Sequence, residues 1–216
     1  MSPIHACLFD LDGVLVDTAK YHYLAWQRLA EELGFEFTLK DNEKLKGVSR
    51  AASLDILLGI GGIELDDQRK LELAERKNRW YVDSISTMGA SEILPGALEF
   101  LQACRAQGIK VALGSASKNA MIILNNTGLT PYFDAIIDGT HTSQAKPNPE
   151  VFLLGAKALD TLPDQCVVFE DAEAGIEAAT RAGMRSVGIG SAQNLGHATI
   201  VVSSLAEMST ERLQQL

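Results

Sequence analysis

The chain has 216 residues, 46% of them hydrophobic and 22% charged, a soluble globular composition with room for one large domain or two small ones. Its 28 acidic against 19 basic side chains leave a net charge of −9, which argues against a nucleic-acid partner. No apolar stretch is long enough for a membrane span, no leader pattern opens the chain, and Cys7, Cys104 and Cys166 are odd in number and widely spaced, so neither a membrane span nor a signal peptide is expected; free thiols and a reducing, cytoplasmic compartment are expected.

Ile4 to Phe9 is a short apolar run rich in strand formers, and it ends in charge, so it reads as a buried strand. The pattern then turns helical over 15–90. Asp17 or Thr18 can cap a helix carrying Tyr21, Trp26, Leu29 and Leu33, stopped by Gly34. Thr38 with Asp41 reads as a capping box before a helix holding Leu45, and Ser49 caps the next, through Leu54, Leu57 and Leu58 to Gly61-Gly62. A longer charged helix follows over 65–83. From there strands and helices alternate: helix 97–107, strand 110–113, helix 118–127, strand 135–137, helix 149–159, strand 166–169, helix 173–182, strands 185–189 and 199–202. Such alternation predicts an α/β fold with a parallel sheet covered on both faces. A helical block, 15–90, therefore interrupts an α/β unit made of 1–14 and 91–216. Its two crossings, near Leu15–Asp17 and Met88–Glu92, are short enough to serve as a hinge.

The first strand runs directly into Asp10-Leu11-Asp12-Gly13. An acid pair there is either a solvated strand end or a reactive set, in which one carboxylate attacks, one moves a proton and both help hold a cation. Three other strand ends carry matching chemistry. Strand 110–113 leads into Gly114-Ser115-Ala116-Ser117, the region after strand 135–137 holds Lys146-Pro147, and strand 166–169 ends in Glu170-Asp171. In open α/β sheets ligands bind at the carboxyl ends of strands. Acid pair, hydroxyl, lysine and acid pair together form the set that a phosphate site with a divalent cation needs.

In this order the four motifs resemble those of haloacid-dehalogenase-type phosphotransferases, over the whole chain. The resemblance implies a Rossmann-like core with a four-helix cap inserted after the first strand. It implies Asp10 as nucleophile forming an aspartyl-phosphate, Asp12 as general acid and base, Ser115 as donor to the phosphoryl group and Lys146 as its counter-charge. Mg²⁺ would be held by Asp10, the backbone carbonyl of Asp12, and Glu170 or Asp171.

A narrower resemblance lies in the helical block. Thr18 to Trp26, the run Leu45-Lys46-Gly47-Val48-Ser49-Arg50, Arg76-Lys77-Asn78 and Ser115 to Asn119 are similar to the β-phosphoglucomutase family. The resemblance implies transfer between β-D-glucose 1-phosphate and glucose 6-phosphate through glucose 1,6-bisphosphate, hence a second phosphate site. Arg50 is the candidate there, because its planar fork grips phosphate bidentately. Ser117, Lys118 and Asn119 would complete it, next to Ala116, with Lys118 and Asn119 opening a helix whose N–H groups favour anions. Lys46, Gly47, Val48 and Ser49 would form a loop facing the sugar. His22 shares a helix face with Thr18 and Trp26; it is a half-buried helix histidine or, with Lys77, a link between cap closure and Asp12. Trp26 packs in the core or lines the sugar pocket. A sugar-phosphate phosphatase with the same aspartyl chemistry is the alternative activity, and a monomer is expected.

His5, His141 and His197 have no partners at ligand spacing. Gly59-Ile60-Gly61-Gly62 lacks the Gly-Lys-Ser/Thr of a phosphate loop, and Gly188-Ile189-Gly190 lacks a third glycine and a ribose acid. These read as structural.

Overall fold

The computed structural model describes residues 2–216. Strand β1, Ala6–Phe9, is buried at all four positions and lies in the middle of a sheet. Four helices follow: α1 Ala19–Glu32, α2 Leu39–Asn42, α3 Arg50–Gly61 and α4 Asp67–Ile85. Local signals set their starts. Thr38 and Asp41 close a reciprocal capping box, Ser49 Oγ accepts from the Ala52 amide, and Asp66 accepts from Arg69. Gly62, at φ +64°, ends α3 in the left-handed conformation that glycine adopts at low cost. These helices bury a cluster of their own, with Trp26, Leu29, Phe37, Leu45, Leu54, Leu57 and Leu73 at its centre. The charged sequence of α4 is compatible with this because its apolar residues share one stripe.

The chain then completes the sheet with β2 Lys110–Gly114, β3 Ala135–Ile137, β4 Cys166–Glu170, β5 Arg185–Ile189 and β6 Ile200–Val202. The strand order is β3-β2-β1-β4-β5-β6, and every pair is parallel. The direction of winding reverses between β1 and β4, which opens a crevice at their carboxyl ends. Side chains alternate between faces. Cys7, Phe9, Leu113, Val167 and Phe169 pack on one side with α5 (Ala97–Ala106) and α6 (Ala120–Thr127). Leu8, Ala112 and Val168 pack on the other with α7 (Glu150–Ala158) and α8 (Glu173–Arg181). Phe9 stacks on Phe169 at 4.6 Å between centroids, directly beneath the two acid pairs that end these strands. Two short helices, α9 Ala192–Leu195 and α10 Thr210–Leu213, flank β6 near the C-terminus. No helix among the described residues is long and apolar enough to cross a membrane.

The expected elements are present with shifted ends. β1 begins at Ala6 rather than Ile4, because the Ile4 backbone is taken by the Gln214 side chain, whose Oε1 accepts from Ile4 N at 3.1 Å. α6 begins at Ala120 rather than Lys118, because Ser117 Oγ accepts the Asn119 amide and holds that stretch as a turn. The two crossings pair with each other. Val16 bridges Ile93, the Asp17 amide donates to Glu92 and the Leu94 amide to Leu15, which places both chain passages side by side.

Phe169→Ala removes a fully buried ring that stacks on Phe9 and meets Phe100 edge-on. A loss of about 3–5 kcal/mol is expected in urea unfolding, with a lower Tm.

Candidate active site

The turn after β1 carries Asp10 and Asp12 to the same side of the chain, two residues apart. Gly13 makes the turn possible. It sits at φ +79°, and a Cβ there would collide with the Asp171 carboxylate. Asp10 is buried, and its Oδ1 accepts from Lys146 Nζ at 2.7 Å. Lys146 also donates to Glu170 Oε1, whose second oxygen accepts the Ala172 amide at 3.1 Å. The loop that delivers Lys146 is tied at both ends. Asp138, at the end of β3, accepts from Thr140 and pairs with His141 at 2.8 Å, while Glu150 in the first turn of α7 accepts the amides of Ser143 and Gln144.

This centre is short of positive charge. Oxygens of Asp10, Glu170 and Asp171 all lie within 4.8 Å of one another; Lys146 pairs with two of them, and Lys46 reaches Asp171 from the rim at 3.8 Å, which leaves three carboxylates to two ammonium groups. Burial alone would lower the Lys146 ammonium, but Asp10 and Glu170 outweigh it and hold it above its ordinary value. Burial pushes the Asp10 carboxyl well up against the pull of Lys146, and burial followed by Glu170 brings Asp171 up to about 7. A divalent cation fits such a set. All donors are oxygens, three carboxylates converge, and the uncompensated negative charge is what a hard cation relieves.

Asp12 faces a second chain of groups. Thr18 Oγ1 donates to Asp12 Oδ1, so the hydroxyl at the start of α1 serves the acid rather than capping its helix. His22 Nε2 lies 3.6 Å from the same oxygen, and its Nδ1 meets Lys77 Nζ at 2.9 Å. Partial burial would raise Asp12, but His22 and Thr18 outweigh it and leave the carboxyl below its usual value. Lys77, on α4, is buried over the rings of Trp26 at 4.3 Å and Tyr81 at 4.8 Å. Burial, and then the Arg50 guanidinium, bring its amine down to about 7. An ammonium there makes His22 Nδ1 an acceptor and leaves Nε2–H to point at Asp12.

Above these groups lies a cavity of about 750 Å³ between the sheet and the helical block. Asp10, Asp12, Ser115, Lys146 and Asp171 line it from the sheet side, and His22, Trp26, Lys46, Gly47, Val48, Ser49, Arg50 and Lys77 from the helices. Ala116, Ser117, Lys118 and Asn119 line it from the turn after β2. Thr18 and Glu170 lie outside the lining and act through Asp12 and Lys146. Trp26 both packs in the helical core and touches the cavity. Ser115 Oγ accepts the Ser117 amide at 3.1 Å. Lys46 reaches to 3.8 Å from Asp171, and a Cβ on Gly47 would press on Ala172, so this loop closes against the start of α8. Arg50 makes no ion pair among the described residues, which leaves a half-buried cation open to the cavity.

Sequence reading missed Tyr81, Ser53 and Asn42, and it quoted Asn78 only within the run Arg76-Lys77-Asn78, with no role of its own. Tyr81 stacks on His22 at 4.0 Å, and its buried hydroxyl has no hydrogen-bond partner among the described residues. It stands four residues after Lys77, a spacing that puts both on one face of α4 and could have flagged it. Ser53 and Asn42 are buried polar residues on the cavity wall, and Asn78 also lines it. Nothing local to the sequence marks Ser53 or Asn42.

The comparisons with known proteins agree with this geometry. Residues 4–183 match the family model of the haloacid dehalogenase-like hydrolases. The chain is 42% identical to a β-phosphoglucomutase of Bacillus subtilis, over 97% of this chain and 94% of that protein. It is 32% identical to a phosphorylated carbohydrates phosphatase of Thermotoga maritima, over 97% and 96%. Among solved structures, a β-phosphoglucomutase from Clostridium difficile superposes with a TM-score of 0.94 at 43% identity, covering 98% of this chain and 96% of that one.

Lys77 binds fewer protons folded than unfolded between its folded value of about 7 and the ordinary lysine value, so stability contributed at this site rises with pH across that window. Lys77→Met removes the group. The difference in unfolding free energy between variant and wild type should therefore shift toward wild type by on the order of 2 kcal/mol from pH 7 to pH 9, read from urea titrations.

Proposed function

The chain belongs to the haloacid dehalogenase-like hydrolase family, and we propose that within it this protein is a β-phosphoglucomutase, interconverting β-D-glucose 1-phosphate and glucose 6-phosphate. The observation that carries the reading is a single cavity with a cation on each side: Lys146 beside Asp10 on the sheet, and Arg50 without an anionic partner on the helical block. A phosphatase needs one phosphate site; an enzyme that holds a bisphosphate needs two. Similarity to the Bacillus and Clostridium proteins supports the same reading.

In this reading residues 15–90 act as a cap over the core formed by 1–14 and 91–216. An Asp10 oxygen attacks the 1-phosphorus of a priming glucose 1,6-bisphosphate and the bond to the sugar oxygen breaks, giving an aspartyl-phosphate and glucose 6-phosphate. Asp12 gives a proton to the leaving oxygen. In the second half Asp12, held as a carboxylate by Thr18 and His22, takes a proton from the 6-hydroxyl of an incoming β-D-glucose 1-phosphate as that oxygen attacks the aspartyl-phosphate. The resulting β-glucose 1,6-bisphosphate turns round and returns its 1-phosphoryl group to Asp10, leaving glucose 6-phosphate. Ser115 and Lys146 hold the transferring group; Arg50, Ser117, Lys118 and Asn119 hold the other phosphate. Lys46 to Ser49 face the sugar, with Ala116 in the opposite wall, and Trp26 and Lys77 close that side. Mg²⁺ would be held by Asp10, Glu170, Asp171 and the Asp12 carbonyl, where it would neutralise phosphoryl charge. All these residues come from one chain, so the reading needs no second subunit, nucleic acid or membrane.

The test supplies Mg²⁺, β-D-glucose 1-phosphate and a trace of glucose 1,6-bisphosphate, and measures glucose 6-phosphate and free phosphate together. Glucose 6-phosphate in large excess is expected; free phosphate alone would make the protein a phosphatase. Asp10→Asn should abolish both products, because a carboxamide is a poor nucleophile. Arg50→Ala should lower glucose 6-phosphate formation by about tenfold or more while slow free-phosphate release persists, since one charge-assisted phosphate contact is worth roughly 1.5–3 kcal/mol.

A further inference from the structure

The helical block and the phosphate-binding turn after β2 touch through one pair of amides. Asn119 Nδ2 donates to Asn78 Oδ1 at 2.9 Å, and both residues line the cavity. Asn78 lies on α4 directly after Lys77, and Asn119 is the residue before α6. On the core side the bond continues inward. The Asn119 amide donates to Ser117 Oγ at 3.2 Å, and the Ser117 amide donates to Ser115 Oγ at 3.1 Å. On the helical side it continues through the neighbouring Lys77 to His22 and Asp12.

The chemistry of an amide gives this bond a direction. Phosphate accepts hydrogen bonds and donates none, so a carboxamide helps hold it only through its NH₂. Asn78 presents a carbonyl oxygen to Asn119, which holds the Asn119 nitrogen in place by one N–H and leaves the other for a ligand. A lone Asn119 could turn either end to the cavity. Helix α4 is one continuous element of 19 residues, so a contact at Asn78 also constrains the position of the adjacent Lys77 over His22.

We propose that Asn78 is a positioning residue for phosphoryl transfer. By accepting from Asn119 it orients that amide toward the phosphate remote from Asp10, and it ties occupancy of that position to the seating of the Lys77–His22 pair on Asp12. The proposal rests on the reading that Ser117 to Asn119 hold a second phosphate. Its consequence is selective: a bisphosphate held at both ends brings α4 down and excludes water, whereas a ligand lacking the remote phosphate does not.

The test is a double-mutant cycle in the Asp10→Asn enzyme, which holds sugar phosphate without turning it over. The dissociation constant of glucose 1,6-bisphosphate is measured by calorimetry for Asn78→Ala, Asn119→Ala and the double variant, with Asn78→Gln as a second variant that keeps the amide one methylene out of place. Asn78→Ala and Asn78→Gln are expected to weaken binding roughly 3- to 10-fold, the range of one net hydrogen bond, and the double variant to bind no worse than Asn119→Ala. In enzyme with Asp10 intact, Asn78→Ala should also lower the ratio of glucose 6-phosphate to free phosphate. Unchanged affinity in both Asn78 variants, or losses that simply add, overturns the inference. Failure of wild type to make any glucose 6-phosphate overturns the mutase reading instead, and the binding cycle still decides the role of Asn78 by the same two outcomes.

Discussion

The ammonium of Lys146 between Asp10 and Glu170 is the contact on which the rest of this structure depends. Three buried charges in one place are costly unless each is paired and hydrogen-bonded, and removing a single partner leaves an uncompensated charge. Here the partners come from the end of β1, the end of β4 and the loop after β3. They meet only because β1 lies beside β4 and the loop is tied down by Asp138 and Glu150. The apolar layer beneath, Phe9 on Phe169, sets the spacing of the two strand ends. The site therefore depends on the sheet order, and the sheet order is filled out by the core that covers it.

The same centre also stays unfinished. Its carboxylates outnumber its ammonium groups, and burial drives Asp10 and Asp171 upward instead of relieving them. A fold that selected only for stability would replace such groups with apolar ones. Their presence fits the proposed function, in which the site receives a cation and a phosphoryl group and releases both. Asp12 is handled in the opposite way. It stands two residues on, carries partners that favour its ionised form, and takes those partners from the helical block rather than the sheet. Environment thus shifts two neighbouring aspartates in opposite directions, a division that enzymes use to run acid and base chemistry side by side.

Coupling between the two blocks follows from this division. Thr18 and His22 stand at the start of and on α1 and reach Asp12, Asn78 on α4 reaches Asn119, and Lys77 beside it acts through His22. The paired crossings at Val16 and Ile93 put both passages at one edge, the arrangement that lets a block move about a line. The helical block packs a cluster of its own, while Ala25 of α1 and Tyr81 and Ile85 of α4 join the cluster under the sheet, so the two blocks share apolar contacts near the crossings.

The alternation of short apolar runs with helical stretches specified the α/β class. Asp10, Asp12, Ser115, Lys146, Glu170 and Asp171 were legible because each follows a strand, and strand ends converge in a parallel sheet. Capping at Thr38 and Ser49 was legible because those bonds span three residues. Thr18 was legible as a helix start but not as the donor to Asp12, and Asn78 was legible as part of the run Arg76-Lys77-Asn78 but not as the acceptor for Asn119. The difference lies in range. Periodicity and capping act within a turn or two of chain, and sequence displays them directly. The bond from Asn119 to Asn78 spans 41 residues and that from Lys146 to Asp10 spans 136, so tertiary packing alone could choose those partners.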